Sequence, residues 1–331
     1  MSIKSYKGFK KDMTCKGFQY EEGKEYETEK AECCETGFHA CEYPLDCFNY
    51  YSPNESVFHE VEQNGELDRK GSNTKVASTK IKIGASINIA GIVKAAIEYT
   101  TQRAKKENGS DKDYGTSSAT GNYGASSATG YKGASSATGD YGTSSATGNY
   151  GASSATGNCG ASSATGDCGA SSATGNYGAS SATGNCGASS ATGNCGASSA
   201  TGYKGASSAT GDKGASSATG YKGASSATGD YGASSATGNC GASSATGYKG
   251  ASSAEDKDSV AVAWGYHGKA KGVIGSFLVL ADWEGDEDNY WTQDLWTLKG
   301  AKMVQVDGKI IKENTWYTMV NGEIKEVESE E

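Results

Sequence analysis

Proline is nearly absent from this 331-residue chain: Pro44 and Pro53 are the two it has. Collagen-like and polyproline architectures are therefore excluded. No run of 18 apolar residues occurs, so no segment reads as a membrane-spanning helix. The opening MSIKSYKGFKKDMTC lacks the apolar stretch of a secretory signal. Positive charge is in deficit, with a formal net charge of −9. That argues against nucleic acid or an anionic membrane as partner. Without an export signal, the 10 cysteines are expected as thiols in a reducing, cytoplasmic compartment. Large apolar residues are also scarce through the middle of the chain, where no ordinary globular core can form.

The middle is filled by a repeat. From Gly115 a nine-residue unit recurs in 15 full copies, and a partial copy starts at Gly250. Positions 3 to 7 read Ser-Ser-Ala-Thr-Gly in every full copy, and positions 8 and 9 vary among Asn, Asp, Tyr, Lys and Cys. Composition alone suits a flexible linker, but a linker keeps no phase. Glycines at positions 7 and 1 bracket the variable pair as a turn, leaving positions 2 to 6 as a strand. A helix is disfavoured, since each glycine costs it about 1 kcal/mol. A strand and a turn every nine residues predict a mainly β chain built around a parallel β-solenoid, with two units and two faces per 18-residue coil. The 7.5 coils of the array would span roughly 36 Å.

The degenerate units downstream set the orientation. Continuing the frame puts Lys269 and Lys271 at positions 2 and 4, where a narrow dry bore would not admit them. Positions 3 and 5 therefore face inward and positions 2, 4 and 6 outward. The inner row is Ser and Ala because two close sheets leave room for little else, and the buried hydroxyls must bond one another or the backbone. The same frame assigns Val279 and Ala281 inward, and Leu278 and Leu280 outward.

A solenoid needs its ends covered. Upstream, a strand in TKVASTKIKIGASINI leads into a helix with Ile89, Ile92, Val93, Ala96, Ile97 and Thr100 on one stripe, stopped by basic residues and Asn108-Gly109. This helix is expected to plug the N-terminal end. Downstream, turns at Asp307-Gly308 and Asn321-Gly322 predict a β-hairpin cap with Trp283, Trp291, Trp296 and Trp316 as its core. The expected organisation is an α+β domain at 1–74, the strand and capping helix at 75–114, the array at 115–254, degenerate coils at 255–285 and the β cap at 286–331.

SVAVAWGYHGKAKG resembles the head repeats of YadA-like trimeric adhesins, which implies a β-roll; the nine-residue period differs from theirs, so trimerisation does not carry over. The period is also similar to the calcium-binding nonapeptide rolls of secreted toxins. Their loop aspartates are missing, since position 8 of a full copy is Asp only at Asp140, Asp167, Asp212 and Asp230, so no calcium is expected. The N-terminal region, YKGFKKDMTCKGFQYEEGKEYE through GFHACEYPLDCFNYY to KVASTKIKIGASINIAGIVKAA, resembles an uncharacterised domain of bacterial and bacteriophage proteins that carry GASSATG-type arrays. That likeness implies an architecture and a bacterial or virion-associated setting, and no activity.

Candidate chemistry is sparse. GFHACEYPLDCFNYYSPNESVFHEVEQNG is faintly similar to ADP-ribosyltransferase cores, which would nominate His39, Tyr50 or Tyr51, and Glu60 or Glu62, after an aromatic-basic-glycine start at Tyr6, Lys7 and Gly8. The competing reading makes His39 and the tyrosines core and the two glutamates the wet side of a strand. Cys33, Cys34, His39, Cys41 and Cys47 cluster, but their spacing matches no standard zinc site. Cys168 and Cys186 fall at one corner of adjacent coils, within disulfide reach. Thr120, Thr129, Thr138, Thr147 and Thr156 open an uncharged grid of the kind seen on ice-binding solenoids. The primary expectation is a non-enzymatic scaffold or binding rod without cofactors, whose partner is an unidentified protein or ordered surface. A transferase in the N-terminal domain and an ice-binding surface stay open as alternatives.

Overall fold

The computed structural model describes residues 2–53, 55–70, 74–103, 105–285 and 295–327. The N-terminal sheet runs in the order β4 (Glu25–Glu27), β7 (Lys75–Ile87), β5 (Phe38–Cys41), β1 (Ile3–Lys10) and β6 (Ser56–Arg69). β6 also pairs antiparallel with β7, so the sheet closes on itself. A short ribbon of β2 (Thr14–Cys15) and β3 (Phe18–Gln19) lies beside it. Phe9, Tyr20, Phe38, Val61, Ile81 and Ile83 fill one core. Gln63 is fully buried among them, and its amide donates to the carbonyls of Phe38 and Val76.

Two parallel sheets form the rod. After β8 (Lys105–Ser110), strands recur every nine residues from β9 (Thr116–Thr120) to β24 (Ala251–Ala254), then β25 (Val260–Ala263), β26 (Lys269–Gly272) and β27 (Phe277–Glu284). Even-numbered strands stack in one sheet and odd-numbered strands in the other, each in register with the strand 18 residues away, as Ser144↔Ser162 and Ser153↔Ser171. Each sheet holds ten parallel strands, because β8, β25, β26 and β27 extend the array at both ends. At roughly 4.8 Å per step the rod is about 43 Å long, longer than the repeats alone predict.

The expected parity holds through the array. In β13 (Ala152–Thr156) only Ser153 and Ala155 are buried. The serines at position 3 form a continuous ladder. Fifteen hydroxyls, from Ser126 to Ser252, are joined by fourteen contacts of 2.8–3.0 Å. Consecutive members belong to opposite sheets, so the ladder zigzags across the bore and stitches the faces together. Position 7 is glycine for a stacking reason. At Gly148 φ is 154°, and a Cβ there would run into the carbonyl of Gly130 one coil earlier.

Lys269 and Lys271 do stay out of the bore, yet Lys269 is buried, only 7 % exposed. The cover comes from outside the rod. Its ammonium lies 3.4 Å from the Glu55 carboxylate and 5.7 Å from the centre of the Trp316 ring. Ala270, between the two lysines, points inward and is fully buried.

The frame slips by one residue after β26. Phe277 pairs with Val260, 17 residues earlier, so Leu278 aligns with Ala261 and Leu280 with Ala263. Leu278 and Leu280 are therefore inward and fully buried, contrary to the uninterrupted nine-residue frame. The bore ends here, and residues too large for its interior close it with Val306, Ile311, Tyr317 and Met319. This cluster is the core of the cap. Trp283, Trp296 and Trp316, expected as that core, are only half-buried around it, and Trp291 lies outside the described residues. β28 (Thr297–Gln305) adds antiparallel to β27, and β29 (Tyr317–Val320) adds antiparallel to β26. Both sheet ends are thereby closed to further parallel strands. Asn321-Gly322 makes the expected hairpin between β29 and β30 (Glu323–Glu326). Asp307-Gly308 does not: the Asp307 carboxylate accepts from the amides of Lys309, Ile310 and Ile311 and leads into a loop.

Helix α1 (Ile89–Arg103) is not an end plug either. It crosses five strands of the even-numbered sheet, from Thr143–Thr147 to Ala215–Thr219. Its 15 residues span about 22 Å, close to the roughly 19 Å that four strand steps occupy, so it lies along the rod. Ile92, Val93 and Ala96 of the expected stripe are buried. They press on Ala179, Ala197 and Ala215, whose methyls are the outward position 2 of their repeats. The helix stops at Arg103, and Lys105 and Asn108 lie in a strand.

Candidate functional site

Chemistry-bearing residues gather in a cleft of the N-terminal domain, along the corner edges of the rod and on its faces. The cleft opens because β1 is paired along its whole length with β6 but meets β5 only at Tyr6↔Cys41. Where β1 and β5 part, a cavity of about 670 Å³ forms, a size suited to a small ligand. Phe18, Tyr20, Phe38, Tyr50 and Tyr51 give it apolar walls; Lys7, Lys16, Lys75, His39 and Glu27 give it charge. Gly8 is glycine because the Tyr51 side chain lies against it, closer than a Cβ would allow.

Lys7 is 5 % exposed. Its ammonium donates to the His39 carbonyl at 2.8 Å, across the gap between β1 and β5, and to Cys15 Sγ at 3.4 Å. Cys15 Sγ also accepts from the Tyr51 hydroxyl at 2.8 Å. His39 Nε2 accepts the backbone amide of Cys34 at 2.9 Å, which leaves Nδ1 to donate to the Gly37 carbonyl. Burial, and then the neighbouring Lys7 charge, hold the imidazole below its ordinary pKa and favour this neutral form. Cys34 is exposed in a left-handed turn (φ 75°). A hydrogen bond from Lys75 lowers its thiol pKa, whereas burial pushes the adjacent Cys33 up.

The cleft thus gathers His39, Tyr50 and Tyr51 beside Lys7 and Gly8. It leaves out Glu60 and Glu62. Glu60 pairs with Lys4 at 2.9 Å on the outer surface, and Glu62 is exposed. The carboxylate in the lining is Glu27. Of the cysteine and histidine cluster, Cys34, His39, Cys41 and Cys47 all line the cavity, and Cys33 Sγ lies 3.9 Å from Cys34 Sγ. Cys47 donates to the Tyr6 carbonyl, and among the described residues no group of three or more His, Cys, Asp or Glu is placed to hold a metal ion. Sequence reasoning missed Cys15, Glu27 and Lys75. The glycine in YKGF was the local signal of a close approach there.

On the rod, the two edges differ. One edge carries Tyr141, Cys159, Tyr177, Cys195 and Lys213 at position 9, and the N-terminal domain docks on it. Tyr43 donates to the Tyr177 carbonyl at 2.8 Å, Tyr177 donates to the Asn49 side chain at 2.9 Å, and Lys213 donates to the Asn49 carbonyl. Cys159 and Cys195 are buried under this contact. The other edge carries Tyr114, Tyr131, Tyr150, Tyr203 and Tyr221, all exposed, with the Lys132 ammonium 5.4–5.7 Å from three of these rings. Cys168 and Cys186 sit there as neighbours on successive coils, both free thiols.

The threonine grid divides between the faces. Thr120, Thr138 and Thr156 lie on the odd-numbered sheet and Thr129 and Thr147 on the even-numbered one, all exposed. The odd-numbered sheet is open: Ala152, Ala170, Ala188 and Ala206 at position 2 are exposed, where their counterparts under α1 are buried.

Residues 3–95 match the model of a domain of unknown function (DUF7666), a span that takes in the closed sheet and the first half of α1. No curated protein and no solved structure matches the chain. No helix among the described residues is long and apolar enough to cross a membrane.

Proposed function

We propose that the chain is a scaffold: a stiff solenoid that holds its N-terminal domain on one face and edge and presents the opposite face and edge to a partner. One observation carries this reading. The repeats are nearly identical, yet the side under the N-terminal domain carries corner residues that are buried or hydrogen-bonded to it, and the far side keeps exposed Tyr and Lys corners, interrupted by Cys168, Cys186 and Cys240, beside an uncharged Thr, Ser and Ala grid. Interface surfaces favour tyrosine in this way. The test is coil deletion. Removing residues 116–133, one whole coil outside the docked region, should give a folded, shorter rod with α1 still seated. Removing 116–124 should misplace α1, because the strands before the cut change sheets. Equal tolerance of both deletions would refute the reading. An ordered surface such as ice would engage the same open face, and thermal hysteresis in solutions of the intact chain is the measurement for it.

A second reading rests on the cleft. His39, Tyr50, Tyr51 and Lys7 share one cavity of ligand size, the arrangement a transferase acting on a nucleotide would need. Turnover of labelled NAD by the intact chain tests it. Glu60→Gln and Glu62→Gln should leave any such turnover unchanged, and Glu27→Gln should reduce it.

A further inference from the structure

Lys7 poses a problem of charge. A buried ammonium requires an anion or several good acceptors. Among the described residues no carboxylate lies within 4.0 Å of its Nζ. What faces it is the His39 carbonyl, the rings of Phe9 and Tyr20 at 5.4 and 5.5 Å, and the sulfur of Cys15. That sulfur accepts from two donors, the ammonium and the Tyr51 hydroxyl. Burial first, then the Cys15 contact, raise the Tyr51 phenol pKa, so Tyr51 remains a donor. Cys15 is partly accessible and lines the cavity, as do Lys16 and Lys75.

We propose that Cys15 is the nucleophile of this cleft, and that Lys7 and Tyr51, the two donors to its sulfur, position it for attack on a small carbon electrophile bearing a carboxylate. This goes beyond the scaffold reading, which needs no reactive group, and stands or falls separately from it. Two observations support it independently: a cation buried without a carboxylate and aimed at the sulfur, and a cavity of ligand size whose lysines outnumber its carboxylates. Sulfur stabilised by neighbouring cations is the reactive form of cysteine. With iodoacetate as the probe, the S–C bond forms at the methylene carbon as the C–I bond breaks. Iodide leaves, and the thiol proton passes to water.

The experiment treats the intact chain with limiting iodoacetate or, in parallel, neutral iodoacetamide, and reads each labelled cysteine by peptide mass spectrometry. Cys186 and Cys240, exposed on the rod, are internal references. Iodoacetate should label Cys15 about tenfold faster than either reference, and iodoacetamide should show a clearly smaller preference. Lys7→Met should remove the iodoacetate preference and leave the references unchanged. Because Lys7→Met also opens a buried site, Tyr51→Phe serves as the second variant; it keeps the ring on Gly8 and should slow Cys15 about threefold. Three results would overturn the proposal: Cys15 labelling no faster than the references, first labelling at Cys34, or equal preference with both reagents.

Discussion

The serine ladder should respond to mutation by counting links. Ser180 contacts Ser171 at 3.0 Å and Ser189 at 2.9 Å, so Ser180→Ala breaks two links and leaves two buried hydroxyls short of a partner. A buried polar group left unpaired costs about 1–3 kcal/mol, and this substitution should fall in that range. Ser252 ends the ladder with a single neighbour, Ser243 at 2.8 Å, since the next inward position is Ala261. Ser252→Ala should cost about half as much, roughly 0.5–1.5 kcal/mol. The adjacent pair Ser171→Ala with Ser180→Ala breaks three links, whereas the distant pair Ser180→Ala with Ser216→Ala breaks four. The adjacent double mutant should therefore be less destabilised than the sum of its singles by about one link, and the distant one additive. Ser136→Ala, on the exposed face, should stay within about 0.5 kcal/mol of the parent. Urea unfolding with amide exchange across each coil is the assay, because a stack of coils can open locally. An additive adjacent pair, or a Ser252→Ala as costly as Ser180→Ala, would show that the hydroxyls do not act as a connected ladder.

The docked edge makes a sharper demand on corner residues than the free one. Cys159→Tyr forces a ring into the buried contact with the N-terminal domain and should cost about 1–3 kcal/mol or release that domain to proteolysis; Cys168→Tyr, on the free edge, should be neutral by the same assays. Tyr43→Phe removes the bond to the Tyr177 carbonyl from a fully buried ring and should cost about 1 kcal/mol in thermal unfolding. His39 is held below its ordinary pKa in the fold, so the unfolded chain takes up the proton first as pH falls below about 6.5. Its stabilising share is thus present at neutral pH and lost through that acidic window, and the urea midpoint of the parent should drop more from pH 7.5 to 5.5 than that of His39→Gln.

The bore was legible from two lysines and a period. Lys269 and Lys271 decide parity because charge and a narrow interior are incompatible, and 18 residues per coil follow from a unit too short to close alone. The slip at Phe277 was not legible, since Leu278 and Leu280 read as outward in an unbroken frame; only the end of the bore makes room for them. The berth of α1 was hidden for another reason. Ala161 under the helix and Ala152 in water sit in repeats that differ only at position 8, Asp167 against Asn158, so nothing in the strand itself marks which sheet receives it. In the cleft, His39, Tyr50 and Lys7 carry local signals in the sequence, but Cys15 reaches Lys7 and Tyr51 only through the packing of β2 against β1. That convergence depends on tertiary placement and leaves no spacing rule behind.

The variable corner pair then acquires a structural meaning. Position 9 does not vary freely: along the docked edge it must fit Tyr43 and Asn49, so Cys159 and Cys195 are small where the N-terminal domain presses and Tyr177 supplies a hydroxyl between them. Along the free edge the corner pairs carry Tyr131, Tyr150, Tyr203 and Tyr221 with Lys132, Lys204 and Lys222, beside Cys168, Cys186 and Cys240, and the chain buries none of them. A scaffold whose coils are otherwise interchangeable can carry an address in this way, with the fixed five residues building the rod and the two changing ones deciding what sits on each side of it. Exchanging Cys159 and Cys195 for the Tyr and Lys of the free edge should therefore unseat the N-terminal domain while leaving the serine ladder and the coil spacing intact. A domain that stayed seated would place the address elsewhere, in the α1 contact alone.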